Sequence, residues 1–168
     1  DGTGNDLIGV ANGTINSTTT VAGERGNALQ FNGTISYVEV PNFTYPNEFS
    51  VAFSFKVADN SGTGYQYIYS HGAAYNAANA LNVYLIEDNT PAGTPNILRT
   101  RFSDTNDNDN LDGLDVDAAG LGLLDNQWHQ YVLTVKAGVG ATVYVDGVQR
   151  AQIASGGDVM TPTGNLFL

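Results

Sequence analysis

The densest group of side chains that could do chemistry lies at 103–117, where aspartate and asparagine alternate along a polar segment. Hard cations such as Ca²⁺ take roughly six to eight oxygen ligands, which carboxylate and amide groups of one loop can supply. Asp104, Asn106 and Asn108 have the one-three-five spacing of calcium loops, and a second, partial register begins at Asn110. The segment therefore indicates a calcium-binding loop.

Neither register matches an EF-hand loop in full. Asp109 stands where the first register requires glycine, and Asp115 stands where it requires a bidentate glutamate. A solvated surface loop is the alternative, but six aspartates within fourteen residues repel one another, and a bound cation would relieve that repulsion. We expect a Ca²⁺ site with the ligands Asp104, Asn106, Asn108, Asp109 and Asp112.

Aromatic and amide side chains that suit sugar binding occur upstream. Sugar sites usually stack an aromatic ring on the sugar and surround it with amide and carboxylate hydrogen bonds. Three tyrosines alternate at 65–69 and share one face of a strand, which favours packing for at least two of them. We predict a ligand site made by Tyr75, Asn76, Asn79, Asp107 and Asn110.

The elements that position these residues are predicted to be β-strands. The clearest alternation is at 49–57, where Phe and Val face one way and Ser, Ala and Lys the other. The strand at 128–136 is partly apolar on both faces, as in a central strand, and Trp128 is expected in the core. No window has a convincing helical period. The predicted strands are Ala28–Phe31, Tyr37–Val40, Phe49–Val57, Gln66–Ser70, Ala80–Ile86, Ile97–Phe102, Trp128–Lys136, Ala141–Val145 and Val148–Ile153.

These strands predict an all-β fold, an antiparallel β-sandwich with jelly-roll connections. A chain of 168 residues is expected to form one domain, 1–168. The segment W-H-Q-Y-V-L-T-V at 128–135, followed by T-V-Y-V-D-G-V at 142–148, resembles the central signature of laminin G-like domains. The resemblance extends to 26–33, 37–41 and 49–57, and implies a concanavalin A-like sandwich of the lectin and glucanase superfamily.

Both ends of the chain bear on this resemblance. The opening at 1–6 is similar to the D-x-x-G-N start of laminin G-like chains, where Asp6 is either a calcium ligand or part of a simple turn. The final residues, 165–168, resemble the start of a family strand, but nothing here matches the further family strand that normally follows. Three explanations stay open: the sequence stops short, which we expect, the N-terminal segment closes the sheet, or another chain supplies the strand.

The composition limits the partners. A net charge of -11 disfavours nucleic acid and anionic membranes and favours cations. There is no cysteine for a disulfide framework, and no run of the roughly 20 apolar residues that span a bilayer. An acidic, cysteine-free chain rich in Asn, Thr and Gly resembles modules of bacterial surface proteins, so we expect a secreted or cell-surface location and flanking domains in a larger chain.

Catalysis is not expected. Related glucanases carry E-x-D-x-x-E on one strand, which supplies the carboxylate pair of a retaining glycosidase. The four glutamates of this chain are isolated, at Glu24, Glu39, Glu48 and Glu87. His129 belongs to the W-H motif, and His71 has no neighbouring Cys or His with which to bind zinc.

Together these features predict a noncatalytic, calcium-dependent module that binds carbohydrate on a host or neighbouring cell and acts in adhesion. Two alternatives stay open. One is a structural subunit that assembles through edge strands into a fibre or tube, and the other is a peptide- or protein-binding module.

Overall fold

Alternating apolar residues form thirteen β-strands in the part of the chain that the computed structural model describes, which is 2–6, 11–58, 64–72, 80–87, 96–103, 114–136, 139–154 and 164–168. The strands are β1 Thr14–Asn16, β2 Thr19–Ala22, β3 Asn27–Gln30, β4 Tyr37–Val40, β5 Glu48–Phe55, β6 Gly64–His71, β7 Ala80–Glu87, β8 Ile97–Ser103, β9 Leu114–Asp117, β10 His129–Lys136, β11 Gly140–Val145, β12 Val148–Ala154 and β13 Leu166–Phe167.

The strands build two larger sheets and a small one, and every strand pairing is antiparallel. The seven-stranded sheet has the order β1-β4-β13-β6-β7-β8-β9, the four-stranded sheet β12-β11-β10-β5, and the third sheet pairs β2 with β3. This confirms the predicted all-β antiparallel sandwich. Among the described residues, no helix has the length and hydropathy to span a membrane.

All nine predicted strands are present, each within two residues of its predicted ends. The four remaining strands are short: β1 and β2 lie in the N-terminal segment, β13 lies in 165–168, which was expected to begin a family strand, and β9 was not predicted. The strand β9 lies in the acidic segment that was expected to be a loop. At the opposite edge of the same sheet, β1 of the N-terminal segment pairs with β4.

The core lies between the two larger sheets. In β5 the residues Phe49, Val51, Phe53 and Phe55 point towards it, while the residues between them are exposed, as the alternation predicted. The strand β10 lies between β11 and β5, which confirms its central position. Trp128 precedes β10, is half-buried and does not belong to the core cluster, contrary to the expectation for this residue.

Tyr131 of β10 connects the two sheets at the centre of the core. Its ring stacks on Phe53 at a centroid distance of 4.8 Å. Its hydroxyl lies 2.6 Å from Thr100 Oγ1 on the facing strand β8, and both residues are fully buried. Burial raises the pKa of Tyr131, so the hydroxyl stays protonated and able to donate. One polar contact thus fixes the relative position of the sheets.

His129 holds the turns at one end of the four-stranded sheet. Its Nδ1 lies 2.9 Å from Asp146 Oδ2, and its Nε2 lies 3.2 Å from Asp125 Oδ1. Asp146 also accepts a hydrogen bond from the Gln130 backbone, and with Gly147 it forms the predicted Asp-Gly hairpin turn, both residues having positive φ. The W-H motif is therefore structural: the histidine ties the start of β10 to the β11–β12 turn.

We predict that Tyr131→Phe lowers the free energy of unfolding by about 1–3 kcal/mol, because the buried Thr100 hydroxyl loses its partner. For a domain of this size, each kcal/mol corresponds to a fall of roughly 2–4 °C in melting temperature. Denaturant unfolding measures the change. The double variant Tyr131→Phe/Thr100→Val should recover much of the loss, and an equally unstable double variant would show that the hydrogen bond is not its cause.

The second prediction concerns pH. Burial alone lowers the pKa of His129, but its hydrogen bonds and charge interactions with Asp146 and Asp125 outweigh burial and raise it. A raised pKa in the folded state stabilises the fold below the unfolded pKa of about 6.5, and this stabilisation is lost as pH rises through the folded pKa. His129→Gln should therefore destabilise the protein more at pH 6 than at pH 8.5.

Chemical denaturation of the unmodified chain and of His129→Gln, from pH 6 to pH 8.5, tests the prediction. The pKa of buried His71 is lowered by desolvation, which gives a pH dependence of opposite sign. Both proteins contain His71, and both contain the interaction of Arg150 with Asp146. These contributions therefore cancel when the two free energies of unfolding are subtracted. A difference that is constant from pH 6 to pH 8.5 would contradict the assignment.

Candidate functional site

The predicted ligands all lie outside the described residues. The calcium ligands Asp104, Asn106, Asn108, Asp109 and Asp112, with Asp107 and Asn110, belong to 104–113, and Tyr75, Asn76 and Asn79 belong to 73–79. These residues stay predictions. Within the described ranges, no three His, Asp or Glu side chains form a group that could hold a metal ion.

The described strand ends show where these two segments connect. The strand β6 ends at His71 and β7 begins at Ala80, on either side of 73–79. The strand β8 ends at Ser103, which pairs with Ala80, and β9 begins at Leu114. The segments 73–79 and 104–113 therefore both leave the seven-stranded sheet at the same end.

The face of this sheet that points away from the core is the candidate site, and we call it the outer face. In β7 the residues Leu81, Val83 and Leu85 belong to the core, so Asn82 and Tyr84 point to the outer face. Strand register then aligns two rows of side chains across the sheet. The aromatic row is Tyr67, Tyr84, Arg99 and Asp115, and the polar row is Ser70, Asn82 and Arg101.

A bulge in β6 divides its tyrosines between the two faces. The register shifts between Tyr67 and Tyr69, so that Tyr69 enters the core with 4% exposure. Tyr65 and Tyr67 stay on the outer face, 62% and 45% exposed. The expectation that all three share one face is therefore wrong, because strict alternation does not foresee a bulge.

Three tyrosines form the aromatic part of the outer face. The Tyr84 ring is fully buried and lies 5.7 Å from the Tyr65 ring and 5.1 Å from the Tyr67 ring. Each of the two exposed rings thus packs against the buried ring of Tyr84. Rings that are exposed but held in position suit stacking against the apolar face of a sugar.

The polar row is buried although it faces away from the core. Asn82 is 1% exposed and Arg101 is 5% exposed. The Ser70 hydroxyl donates to Asn82 Oδ1 at 2.7 Å, whereas Asn82 Nδ2 has no hydrogen-bond partner within the described residues. A buried amide donor without a partner is costly, and a ligand oxygen would satisfy it.

Arg99 and Asp115 close the aromatic row with a two-point ion pair. Arg99 Nε and Nη2 donate to the two carboxylate oxygens of Asp115 at 2.8 and 2.7 Å. These hydrogen bonds raise the pKa of Arg99 further. Asp115 is therefore engaged in joining β8 to β9 at the base of 104–113, and it is not free to take the last position of the first calcium register.

The carboxylates that the structure describes on this face are held apart by separate partners. Glu39 accepts from Asn165 Nδ2 at 2.6 Å, Asp115 is held by Arg99, and Asp117 Oδ1 accepts from the Gly120 backbone at 2.8 Å. Each of these carboxylates is thus engaged with a separate hydrogen-bond partner.

Asp6, the second cation candidate, takes part in a turn. Its Oδ2 accepts from the Ala11 backbone at 3.0 Å, and its own backbone N–H donates to Asn12 Oδ1 at 2.8 Å. The simple-turn interpretation of this residue is thereby supported by its hydrogen bonds.

Sequence reasoning missed the polar row. The run Ala80–Glu87 is almost continuously apolar and gives no sign that Asn82 lies on the outer face. One signal was available in the alternation along β8. Arg99 and Arg101 lie on one face of this strand, and the core residues Leu98 and Phe102 lie on the other.

Comparison with known proteins identifies the family. A laminin G-like family model, described as the Concanavalin A-like lectin/glucanases superfamily, matches residues 32–168. No curated protein sequence matches the chain.

Solved structures share the fold at low identity. Domain 4 of AbnA, a GH43 extracellular arabinanase from Geobacillus stearothermophilus, in complex with arabinotriose, is 18% identical at a TM-score of 0.64, covering 99% of this chain and 77% of that one. The receptor binding domain of botulinum neurotoxin C/D mosaic serotype is 12% identical, with a TM-score of 0.63. The match covers 98% of this chain and 41% of the toxin domain.

A third structure is the binding domain of botulinum neurotoxin DC in complex with rat synaptotagmin II. It is 12% identical with a TM-score of 0.59, and the match covers 94% of this chain and 38% of that one. This chain thus spans less than half of the toxin domains. Since the family model matches well over half of the sequence, the chain belongs to the laminin G-like family of the concanavalin A-like lectin/glucanase superfamily.

Proposed function

We propose that this chain is a noncatalytic, calcium-dependent carbohydrate-binding module that acts outside the cell, at a cell surface. The outer face of the seven-stranded sheet holds the ligand. Calcium orders the acidic segment 104–113, whose carboxylates would otherwise repel one another.

The observation that carries the proposal is the juxtaposition on the outer face. The buried amide donor of Asn82 lies on the same face as the exposed tyrosine rings, and 73–79 and 104–113 leave the sheet at one end of this face. Sugars present apolar ring faces and many hydroxyl groups, so they need both kinds of partner. The predicted residues Tyr75, Asn76 and Asn79 would add an aromatic ring and amides to this end.

The choice of a first probe follows from a structural neighbour. The arabinanase domain was solved with arabinotriose. At 18% identity this supports a shared fold alone, so arabinotriose is a starting probe and not an assigned ligand. A glycan array extends the search to other sugars.

We predict binding of a defined glycan in CaCl₂ and its loss in EGTA, measured by glycan array and by calorimetry with arabinotriose. Asp104→Asn removes the charge of a predicted direct ligand and should weaken calcium binding by roughly 10- to 100-fold or more, since losing even an outer-shell partner of a metal costs that much. Glycan affinity should fall with it at limiting calcium and recover at high calcium.

Glu24→Gln is the matched control. It removes one negative charge at an exposed site, where Glu24 accepts a hydrogen bond from Ser54 at 2.9 Å, far along the sequence from the acidic segment. Glycan binding that persists unchanged in EGTA would remove calcium from the proposal and leave the sugar site. Calcium binding without any glycan binding would favour a protein ligand.

A separate prediction tests the outer face. Tyr65→Ala should weaken glycan binding roughly three- to tenfold, because the glycan loses an exposed aromatic ring on which a sugar can stack. Tyr144→Ala, on the outward side of the four-stranded sheet, is the control and should leave the affinity unchanged. Both melting temperatures are measured alongside, and equal effects of the two variants would argue against this face as the site.

A peptide or protein ligand is the second candidate. One neighbour of the same fold was solved with synaptotagmin, a protein ligand. The buried Asn82 amide donor beside exposed tyrosine rings favours the sugar, since a sugar offers both hydroxyl oxygens and an apolar ring face.

A further inference from the structure

The ion pair of Arg99 and Asp115 lies in one line with the exposed tyrosine rings. Strand register places Tyr67 of β6, Tyr84 of β7, Arg99 of β8 and Asp115 of β9 in a single row across the outer face. Neighbouring strands lie roughly 4.8 Å apart, so the row runs about 14 Å from Tyr67 to Asp115. The rings and the ion pair are therefore two separate groups on one line.

The ion pair is half-buried and has capacity for further hydrogen bonds. The side chains of Arg99 and Asp115 are 27% and 31% exposed. Each carboxylate oxygen of Asp115 accepts one hydrogen bond from Arg99 and has a second lone pair. The guanidinium has more N–H donors than these two bonds use, and it also hydrogen-bonds Tyr84. The pair can thus accept and donate at the same place.

Two adjacent hydroxyl groups match such a pair. One hydroxyl donates to the carboxylate of Asp115 while its neighbour accepts from the guanidinium of Arg99. The two bonds between these side chains, at 2.8 and 2.7 Å, fix the two charged groups side by side. Hydrogen bonds to charged groups are also stronger than those between neutral groups. The pair therefore suits a vicinal diol, which most sugars present.

Apolar side chains lie between and beside the two groups. Tyr84, in the middle of the row, is fully buried. In the next row along the strands, Tyr65 pairs with Ile86 and Ile86 pairs with Ile97. Both isoleucines alternate with core residues, so they face outward, where they are half-buried. This strip suits the apolar ring faces of a glycan that lies across the strands.

We propose that the Arg99–Asp115 ion pair is a polar subsite of the outer face, and that the ligand is an oligosaccharide lying across the strands along this row. One sugar unit stacks on the Tyr65 and Tyr67 rings, and another unit places a vicinal diol on the ion pair. A sugar unit spans roughly one strand spacing, so about three units reach from the rings to the pair. That the ligand is a glycan belongs to the proposed function, on which this step rests.

The ion pair also joins β8 to β9, so a variant of either residue can act through stability alone. Ligand length separates the two roles. A short ligand that only stacks on the rings does not reach the pair, whereas a longer one does. A loss through stability affects all ligands equally, whereas a lost subsite affects only the ligands that reach it.

Calorimetry with a series of oligosaccharides tests the subsite. The probes are oligosaccharides of one to four units from the glycan that binds on the array, measured in saturating CaCl₂. For the unmodified chain, we expect affinity to rise roughly tenfold or more once the ligand reaches the pair, because it gains hydrogen bonds to charged groups. Asp115→Asn should remove this rise and leave the affinity of the shortest ligands unchanged.

Arg99→Lys is the second variant. It keeps the positive charge but loses the two-point contact, and it should remove the same rise. Glu39→Gln is the matched control, because it removes one negative charge on the same face, at the far side of the sheet, where Glu39 accepts from Asn165. Its dependence on ligand length should equal that of the unmodified chain. Melting temperatures show that all three variants fold.

A deoxy ligand tests the diol without changing the protein. The long oligosaccharide that lacks one hydroxyl of the diol should bind the unmodified chain about as weakly as the complete ligand binds Asp115→Asn. Combining the two changes should add little further loss, because both remove the same contact. Additive losses overturn the subsite.

Two further results also overturn it. One is an affinity that does not depend on ligand length in the unmodified chain. The other is an equal loss at every length in Asp115→Asn. Absence of binding by any glycan overturns the proposed function and the subsite with it, whereas length-independent glycan binding leaves the proposed function standing.

Discussion

The hydrogen bond between Tyr131 and Thr100 is the contact on which the arrangement of the two sheets depends. It joins β10 to β8 across the core, at 2.6 Å and without exposure to water. Apolar side chains can slide against one another at small cost, but a buried hydroxyl that loses its partner is expensive. The contact therefore selects one relative position of the sheets, and the outward directions of β8 and its neighbours follow from it.

Once the inward residues of β6, β7 and β8 are fixed by the core, their alternate residues must face outward. This is why Ser70, Asn82 and Arg101 align in a row, although they are far apart in the sequence. The bulge after Tyr67 adds the one irregularity that separates two exposed tyrosines from a buried third. The candidate site is thus a consequence of strand register, with its aromatic and polar parts positioned by the same three strands.

How much the sequence predicts depends on how far apart the deciding contacts lie. The alternation at 49–57 and the W-H-Q-Y-V-L-T-V run define β5 and β10, because a period of two is visible locally. The strand β9 was hidden in the acidic segment, although Leu114 and Val116 alternate with aspartates there. Its pairing partner Arg99 lies 16 positions away, and a local pattern does not contain that contact. The same reason kept Asn82 and Arg101 unnoticed, whereas the predicted ligands of 73–79 and 104–113 lie outside the described residues.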